Sequence, residues 1–441
     1  MELLDLFKTI QTTHLLIMKE SSLNFEKMAA MAVVAKDYEV VFQSLDDVPS
    51  DGKTVTMKGR EMKFFGNCDY MGLMEDSRIK QAATDAVDKY GIMVCSSRSY
   101  VSSSLYDVLE DKMTQIMGNP TYVARTTTYA SLTVVPMVVS SKDAIILDHQ
   151  VHNSVQMSAG LAAVQGSKIT KIGHSNMEQL EEKIIELSKT HEKIWYMFDG
   201  VYSMMGDHAP FAAIEALMEK YEQFYAYCDD AWGMSWIGEN GRGLALTRMK
   251  MSPKLVLISS LEKGFGAGGG GTVTFQDELR RNVIRDMGPF QIFSGPLTNS
   301  VLASAIASAD VHLSGEIYDR QAEFTYRMQL LHTTAKSLGL QLASKDLSPV
   351  CFLPIGNSEA TMYVTHKLKK AGFCANIALY PLVPNHLSGV RIVLNSYVSY
   401  EDIKQLMIII AESLPMGLEK YKSKAMEQQL VDLKLSVAQT A

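Results

Sequence analysis

Apolar and polar residues change rhythm several times along this chain. Over residues 1–36 apolar positions recur at helical spacing among good helix formers, which predicts an amphipathic helical arm ahead of the main body. From about residue 60 the rhythm becomes short, continuously apolar runs alternating with helical stretches. AIILD (144–148), KIWYMFD (193–199), FYAYCDD (224–230) and LVLISS (255–260) read as buried strands. Between them, MEQLEEKIIELSKT (177–190) and AAIEALMEKYEQ (212–223) have 3.6-residue periodicity and i,i+4 charge pairs, so they read as helices. This alternation implies an α/β fold with a mostly parallel sheet covered on both faces. Such sheets bind ligands at the carboxyl ends of their strands. Asp148, Asp199, Asp229 and Ser260 each close one of these strands.

After about residue 310 the pattern turns α+β. A long helix is expected over 316–338, short strands around VCFLPI (350–355) and VRIVLN (390–395), and a helix in EDIKQLMIIIAESL (401–414). The expected organisation is an N-terminal helical arm (1–60), a large domain (61–310), a small C-terminal domain (311–415) and a polar helical tail (416–441).

Composition narrows the function classes. At 441 residues the chain is long enough for two domains, and its 47% hydrophobic and 21% charged residues are ordinary for a globular protein. A net charge of −7 without a basic cluster argues against a nucleic-acid partner. No apolar run approaches the roughly 18 residues of a spanning helix. The N-terminus, MELLDLFKTI, is acidic and lacks a cleavage site, so no signal peptide is expected. Five scattered cysteines without a C-x-x-C suit a reducing cytosol, and a cytoplasmic location is expected.

The stretch SSLEKGFGAGGGG (259–271) sets a lysine in front of a segment nearly free of side chains. A phosphate loop would place its glycines before the lysine, and Gly264 follows Lys263 instead. Gly264, Gly266 and Gly269 satisfy a dinucleotide fingerprint as a string, but TVTF (272–275) continues as strand rather than helix. A third reading is a lysine that forms a Schiff base with an aldehyde cofactor, the glycines leaving room for the cofactor ring. A loose surface hairpin is the bland alternative.

Other residues bear on the choice. Asp229, at the end of FYAYC, could hold the proton of a pyridine nitrogen, or simply cap a helix. His152 could lie against a cofactor face, sit satisfied in a core, or pair with His149 on a metal, for which no further ligand is at hand, so no metal is expected. ARTTTYASLT (124–133) opens a helical segment whose hydroxyls and amides could hold a phosphate or serve as a plain N-cap. Arg391, on a strand, suits bidentate capture of a carboxylate, with a surface ion pair as its alternative.

An ordered series of motifs over about residues 60–415 resembles the α-oxoamine synthases, pyridoxal-phosphate enzymes of the aspartate-aminotransferase fold. NCDYMGL (67–73), HNSVQMSAG (152–160), FDGVYSMMGDHAPF (198–211), CDDAWGMSWIGENGRGL (228–244), SLEKGFG (260–266), FSGPLTNS (293–300) and VRIVLN are each similar to a family segment, in the family's order. The resemblance implies a fold type I architecture, a seven-stranded large-domain sheet plus a smaller α+β domain, and pyridoxal 5'-phosphate as cofactor. It makes Lys263 the Schiff-base lysine, Asp229 the partner of the ring nitrogen and His152 the stacking residue. Thr128, Tyr129, Ser203, Trp232 and Ser260 become cofactor contacts, with Ser294 reaching a partner subunit's cofactor. Arg391 and Cys68 become substrate contacts.

The activity implied is decarboxylative condensation of an amino acid with an acyl thioester, carried by coenzyme A or a carrier protein, in a homodimer with its active site at the subunit interface. Other pyridoxal-phosphate chemistry (aminotransfer, aldol cleavage, decarboxylation) and a non-catalytic partner subunit are the alternatives. The chain departs from the family at the rim. Trp232 stands where the family has histidine, Cys68 where it has asparagine, Thr128 where it has the phosphate-loop glycine, and Gly295 where it has the partner-reaching threonine. Arg98 precedes SYVSSSLYDVLE, where the family usually has a glycine and a histidine.

Overall fold

The computed structural model describes residues 51–379 and 383–421, together with 36, 39–41 and 43–46. Residues 1–35 of the expected arm and residues 422–441 of the expected tail lie outside the described residues.

Twelve strands are described: β1 (Thr54–Met57), β2 (Arg60–Phe65), β3 (Thr121–Ala124), β4 (Ala144–Asp148), β5 (Lys168–Ile172), β6 (Ile194–Asp199), β7 (Phe224–Asp229), β8 (Leu255–Ser260), β9 (Gly271–Thr274), β10 (Val350–Pro354), β11 (Phe373–Ala378) and β12 (Gly389–Val393). The main helices are α1 (Ser77–Tyr90), α2 (Ser104–Met117), α3 (Thr127–Val138), α4 (Asn153–Val164), α5 (Met177–Leu187), α6 (Phe211–Lys220), α7 (Glu278–Met287), α8 (Asn299–Leu313), α9 (Glu316–Ser337), α10 (Ser358–Lys370) and α11 (Tyr400–Lys420).

The larger sheet runs β3-β9-β8-β7-β6-β4-β5. Its strands are parallel except β9, which is antiparallel to both neighbours. The continuous apolar runs have the cause expected of them. Alternate side chains point to opposite faces, and both faces are covered. Ile145, Leu147, Trp195, Met197 and Tyr227 pack with Val134 of α3 and Val155 of α4. Their neighbours Ile146, Tyr196, Phe198, Ala226 and Cys228 enter the opposite core with Ile184 of α5 and Ile214 of α6.

The second sheet runs β1-β2-β11-β12-β10. The boundary expected at residue 61 falls within β2, which pairs antiparallel with β1 and in parallel with β11, and both β1 and β2 belong to this smaller sheet. Val55, Met57 and Met62 are buried there with Cys374, which is why these early residues join the C-terminal half. At the other end α11 opens on a Ser399–Asp402 capping box and buries Leu414 and Leu418, so residues 416–420 are packed helix rather than solvated tail.

Candidate active site

Register brings the acids together. In the parallel pair β6–β7, Asp199 lies opposite Asp229, placing two buried carboxyls side by side at the carboxyl edge of the sheet. Burial, and then Asp229 beside it, push the Asp199 carboxyl well above the usual carboxylate range. Asp199 accepts the His152 backbone N–H at 3.0 Å. Asp229 accepts the Ala231 N–H on Oδ1 at 3.1 Å, and among the described residues Oδ2 has no donor. Lys263, three residues beyond β8, lines the same cleft. Burial holds its ammonium below the usual lysine value, although Asp229, Cys68, Glu262 and Asp199 pull the other way. An amine more readily neutral is a better nucleophile.

Packing fixes the lysine's turn. A Cβ on Gly264 would overlap the ring of Tyr70, and a Cβ on Gly266, whose φ is +79°, would overlap Leu73. The expectation that these glycines clear space for a cofactor ring is therefore corrected: the ring beside Gly264 is the protein's own. Tyr70 is buried, donates to the Met234 carbonyl at 3.1 Å and stacks on Trp232 at 5.9 Å. On the turn's other side, Ser308 of α8 donates to the Phe265 carbonyl, and the Phe265 ring stacks on His312 at 4.5 Å.

The first turn of α3 forms another wall. Thr126 caps it, accepting the Tyr129 N–H at 3.1 Å, and Thr127 lines the cleft. Free N–H groups and the positive end of a twelve-residue helix make this a seat for an anion. His152 caps α4: its Nδ1 faces the Ser154 N–H at 3.3 Å and hydroxyl at 2.7 Å. With Nδ1 accepting, the neutral ring carries its proton on Nε2. Trp232 and Ser203 complete the cleft. The indole meets the Lys263 ammonium at 4.6 Å and the Arg391 guanidinium at 5.1 Å. Arg391, on β12, donates from Nε to the Ser203 carbonyl at 2.8 Å, and burial brings its guanidinium down to about 10, still charged at neutrality.

Of the residues singled out in the sequence, Lys263, Asp229, His152, Ser203 and Trp232 meet in one cleft, and Arg391 reaches it from the smaller sheet. Cys68 lies behind the lysine, its thiol toward the Glu262 carbonyl at 3.8 Å and pushed up by burial. Ser260 is buried and accepts the Glu262 N–H at 3.2 Å, bracing the turn. Thr128 and Tyr129 follow Thr127 on the same helical turn, but the Tyr129 ring stacks on Phe290 at 5.6 Å. The Ser294 hydroxyl donates to the Phe290 carbonyl, outside the cleft lining. Residues not singled out as site residues, Asp199, Thr127, Val201 and Ala231, also line the cleft. For Asp199 the signal was present, since it ends a strand as Asp229 does.

No family profile matches the chain. It is 28% identical over 362 residues to a serine palmitoyltransferase of Sphingobacterium spiritivorum, spanning 80% of this chain and 86% of that one. It is 25% identical over 366 residues to an 8-amino-7-oxononanoate synthase of Petrotoga mobilis, spanning 80% and 88%. The chain is similar to enzymes of the α-oxoamine synthase family. Its fold, of the aspartate-aminotransferase type I class, matches that of the serine palmitoyltransferase of S. paucimobilis with a TM-score of 0.81 at 20% identity, over 90% of this chain and 99% of that one. The 8-amino-7-oxononanoate synthase of Francisella tularensis matches with a TM-score of 0.66 at 21% identity, over 80% and 98%. Among the described residues of this chain, no helix is long and apolar enough to cross a membrane. No group of three His, Cys, Asp or Glu among them is placed to hold a metal ion.

Proposed function

We propose that the protein is a pyridoxal-phosphate-dependent acyltransferase: an amino acid and an acyl thioester condense to an α-aminoketone, with release of the thiol and carbon dioxide. One observation carries this reading: a lysine held below its usual value and a buried carboxylate with an uncommitted oxygen share a cleft with a helix N-terminus. These donors fit pyridoxal phosphate, an anion for the helix end, a basic ring nitrogen for Asp229 and an aldehyde for Lys263.

When bound, the cofactor supplies an aldehyde and a ring that withdraws electrons from the amino-acid Cα. The chain's residues do the rest. Thr127 and the following turn would hold the phosphate, Thr128 and Tyr129 by their place on that turn. Asp229 would keep a proton on the ring nitrogen. Arg391 grips the substrate carboxylate with the two nitrogens that Nε leaves free, fixing which Cα bond faces Lys263. Lys263 takes the Cα proton at Nζ and later returns it. His152 donates from Nε2 to the thioester oxygen. Ser260 and Cys68 support the lysine from behind.

The working form on this reading is a cytoplasmic homodimer in which Ser294 of each chain reaches the other's cofactor. A panel of amino acids against short and long acyl thioesters, scored by thiol release, tests the reaction. Borohydride treatment of the coloured protein should attach the cofactor to Lys263. Absence of thiol release with every pair, or a label on another lysine, would overturn the assignment.

A further inference from the structure

His174 lies just beyond β5, and both of its ring nitrogens face carboxylates: Nδ1 meets Asp148 Oδ1 at 2.9 Å and Nε2 meets Asp207 Oδ2 at 2.7 Å. Carboxylates only accept, so each ring nitrogen carries a proton and the side chain is an imidazolium bridging two anions. The Asp148 end is rigid. It closes β4, is buried, and also takes the Ser175 N–H at 2.7 Å, the Gln150 N–H at 2.8 Å and the Tyr196 hydroxyl at 3.1 Å.

The Asp207 end belongs to a turn. Tyr202 N–H donates to the Asp207 carbonyl and Gly206 N–H to the Tyr202 carbonyl, both at 2.9 Å, and the Tyr202 ring packs edge-on to His174 at 4.3 Å. Across the turn stands the smaller half of the molecule. His208 N–H donates to Asp346 at 3.0 Å, His208 Nε2 meets the Leu347 carbonyl at 3.1 Å, and Gly206 backs onto the Val350 carbonyl with no room for a Cβ. Residues 200–208 are thus wedged between the two sheets, and within them Ser203 offers the carbonyl that takes Arg391 Nε.

We propose that His174 is a positioning residue: by tying Asp207 to Asp148 it fixes the 200–208 turn, and through the Ser203 carbonyl it aims Arg391 at the substrate carboxylate. This rests on the role given to Arg391 under Proposed function. The groups facing the imidazole are Asp148 from β4, Asp207 and Tyr202 from the turn, and Tyr196 from β6 through Asp148. Burial opposes the charge on His174, but the bonds to Asp148 and Asp207 outweigh it and raise the imidazole to about 9. The bridge is charged through neutrality and opens above that value. Because the folded value lies above the unfolded one, its stabilisation is complete below about 6.5 and is lost as pH rises through about 9.

The test compares wild type, His174→Gln and Asp207→Asn as full-length protein, each saturated with pyridoxal phosphate. Both variants should raise KM for the amino acid by about tenfold while kcat changes less than about threefold, the pattern of a lost grip rather than lost chemistry. In wild type that KM should climb between about pH 8 and 10 more steeply than in His174→Gln, since both share the amino acid's own titration.

A second measurement needs no reaction. The unfolding midpoint of wild type should fall as pH rises through about 9, and the fall should shrink in His174→Gln. Unchanged KM in both variants overturns the inference, as does a wild-type midpoint that is flat over that range. If His174→Gln does not fold, Asp207→Asn, which cuts only the turn's end of the bridge, decides by the same KM criterion. Failure of thiol release or of borohydride labelling at Lys263 would instead remove the proposed reaction. The pH dependence of unfolding would then still decide whether the bridge exists.

Discussion

Two turns set the cleft's two cations, one by carrying Lys263 and one by offering Arg391 the Ser203 carbonyl, and they are held by different means. The Lys263 turn is held by shape. Gly264 and Gly266 admit Tyr70 and Leu73, Phe265 stacks on His312, and the bond from Ser308 is between neutral groups. The 200–208 turn, which positions Arg391, is held by charge, through Asp207–His174–Asp148 on one side and Asp346 on the other. Shape-held elements do not tolerate changes of volume. Charge-held elements do not tolerate loss of a proton. A lysine that must point one way through every step suits the first. An arginine that meets a substrate and lets product go suits the second.

The sharpest separation of frame from cargo is Lys263→Ala. Thiol release should fall to background while the unfolding midpoint stays within about 3 °C of wild type, because the turn's geometry lies in its neighbours. A retained rate would remove the lysine from the chemistry. A collapsed midpoint would mean that the side chain, not Tyr70 and Leu73, builds the turn.

Next is Gly264→Ala, which adds one methyl group where the buried Tyr70 ring already stands. Overpacking at a fully buried ring should cost about 3 kcal/mol in denaturant unfolding, with activity falling as well. Combining it with Tyr70→Ala should cost less than the sum of the two single changes, since the second removes what the first strikes. Strict additivity would show that the turn yields without the ring.

Much of this was legible in the chain, and the part that was not has a common cause. The four strands that carry the cleft, and Asp229 and Lys263 at two of their ends, follow from runs of apolar residues read locally. Asp199 was visible as a strand end. Its place beside Asp229 depends on the β6–β7 register, which no local pattern states. Tyr70 lies within NCDYMGL, yet its role as the floor of the Gly264 turn joins residues 194 positions apart in the chain. His174 sits 26 and 33 positions from its two carboxylates and has no periodic signal at all. The expected boundary at residue 61 leaves β1 in the arm and nearly all of β2 in the large domain, because a half-buried edge pair alternates too briefly to stand out.

His312 sharpens the contrast from the acid side. It is buried, gives Nδ1–H to the Ser308 carbonyl at 2.8 Å and accepts from the Ser235 hydroxyl at 3.0 Å, so it is held neutral, and burial pulls it down to about 4. Its folded value lies below the unfolded one, so its stabilisation is present above about 6.5 and is lost as pH falls through about 4. The loss should be on the order of 3 kcal/mol, and it should be smaller in His312→Gln, which can still donate to Ser308. The shape-held turn would then fail in acid and the charge-held one in base. Parallel acid profiles for the two proteins would remove His312 from the account.

The mildest change falls on a side chain that touches both cations. Trp232 lies 4.6 Å from the Lys263 ammonium and 5.1 Å from the Arg391 guanidinium, ring centre to charge, where the motif resemblance implies histidine. Each contact is worth about 0.5–1 kcal/mol when partly exposed. Trp232→His leaves Lys263 seated by its packed turn but loosens Arg391, whose other tie is a single bond to the Ser203 carbonyl. The amino-acid KM should rise about threefold with little change in kcat, and the cofactor absorbance should become pH-dependent as a titrating ring replaces the indole. A drop in kcat with KM unchanged would reverse the assignment, making the indole a support of the lysine and leaving the arginine to its turn alone.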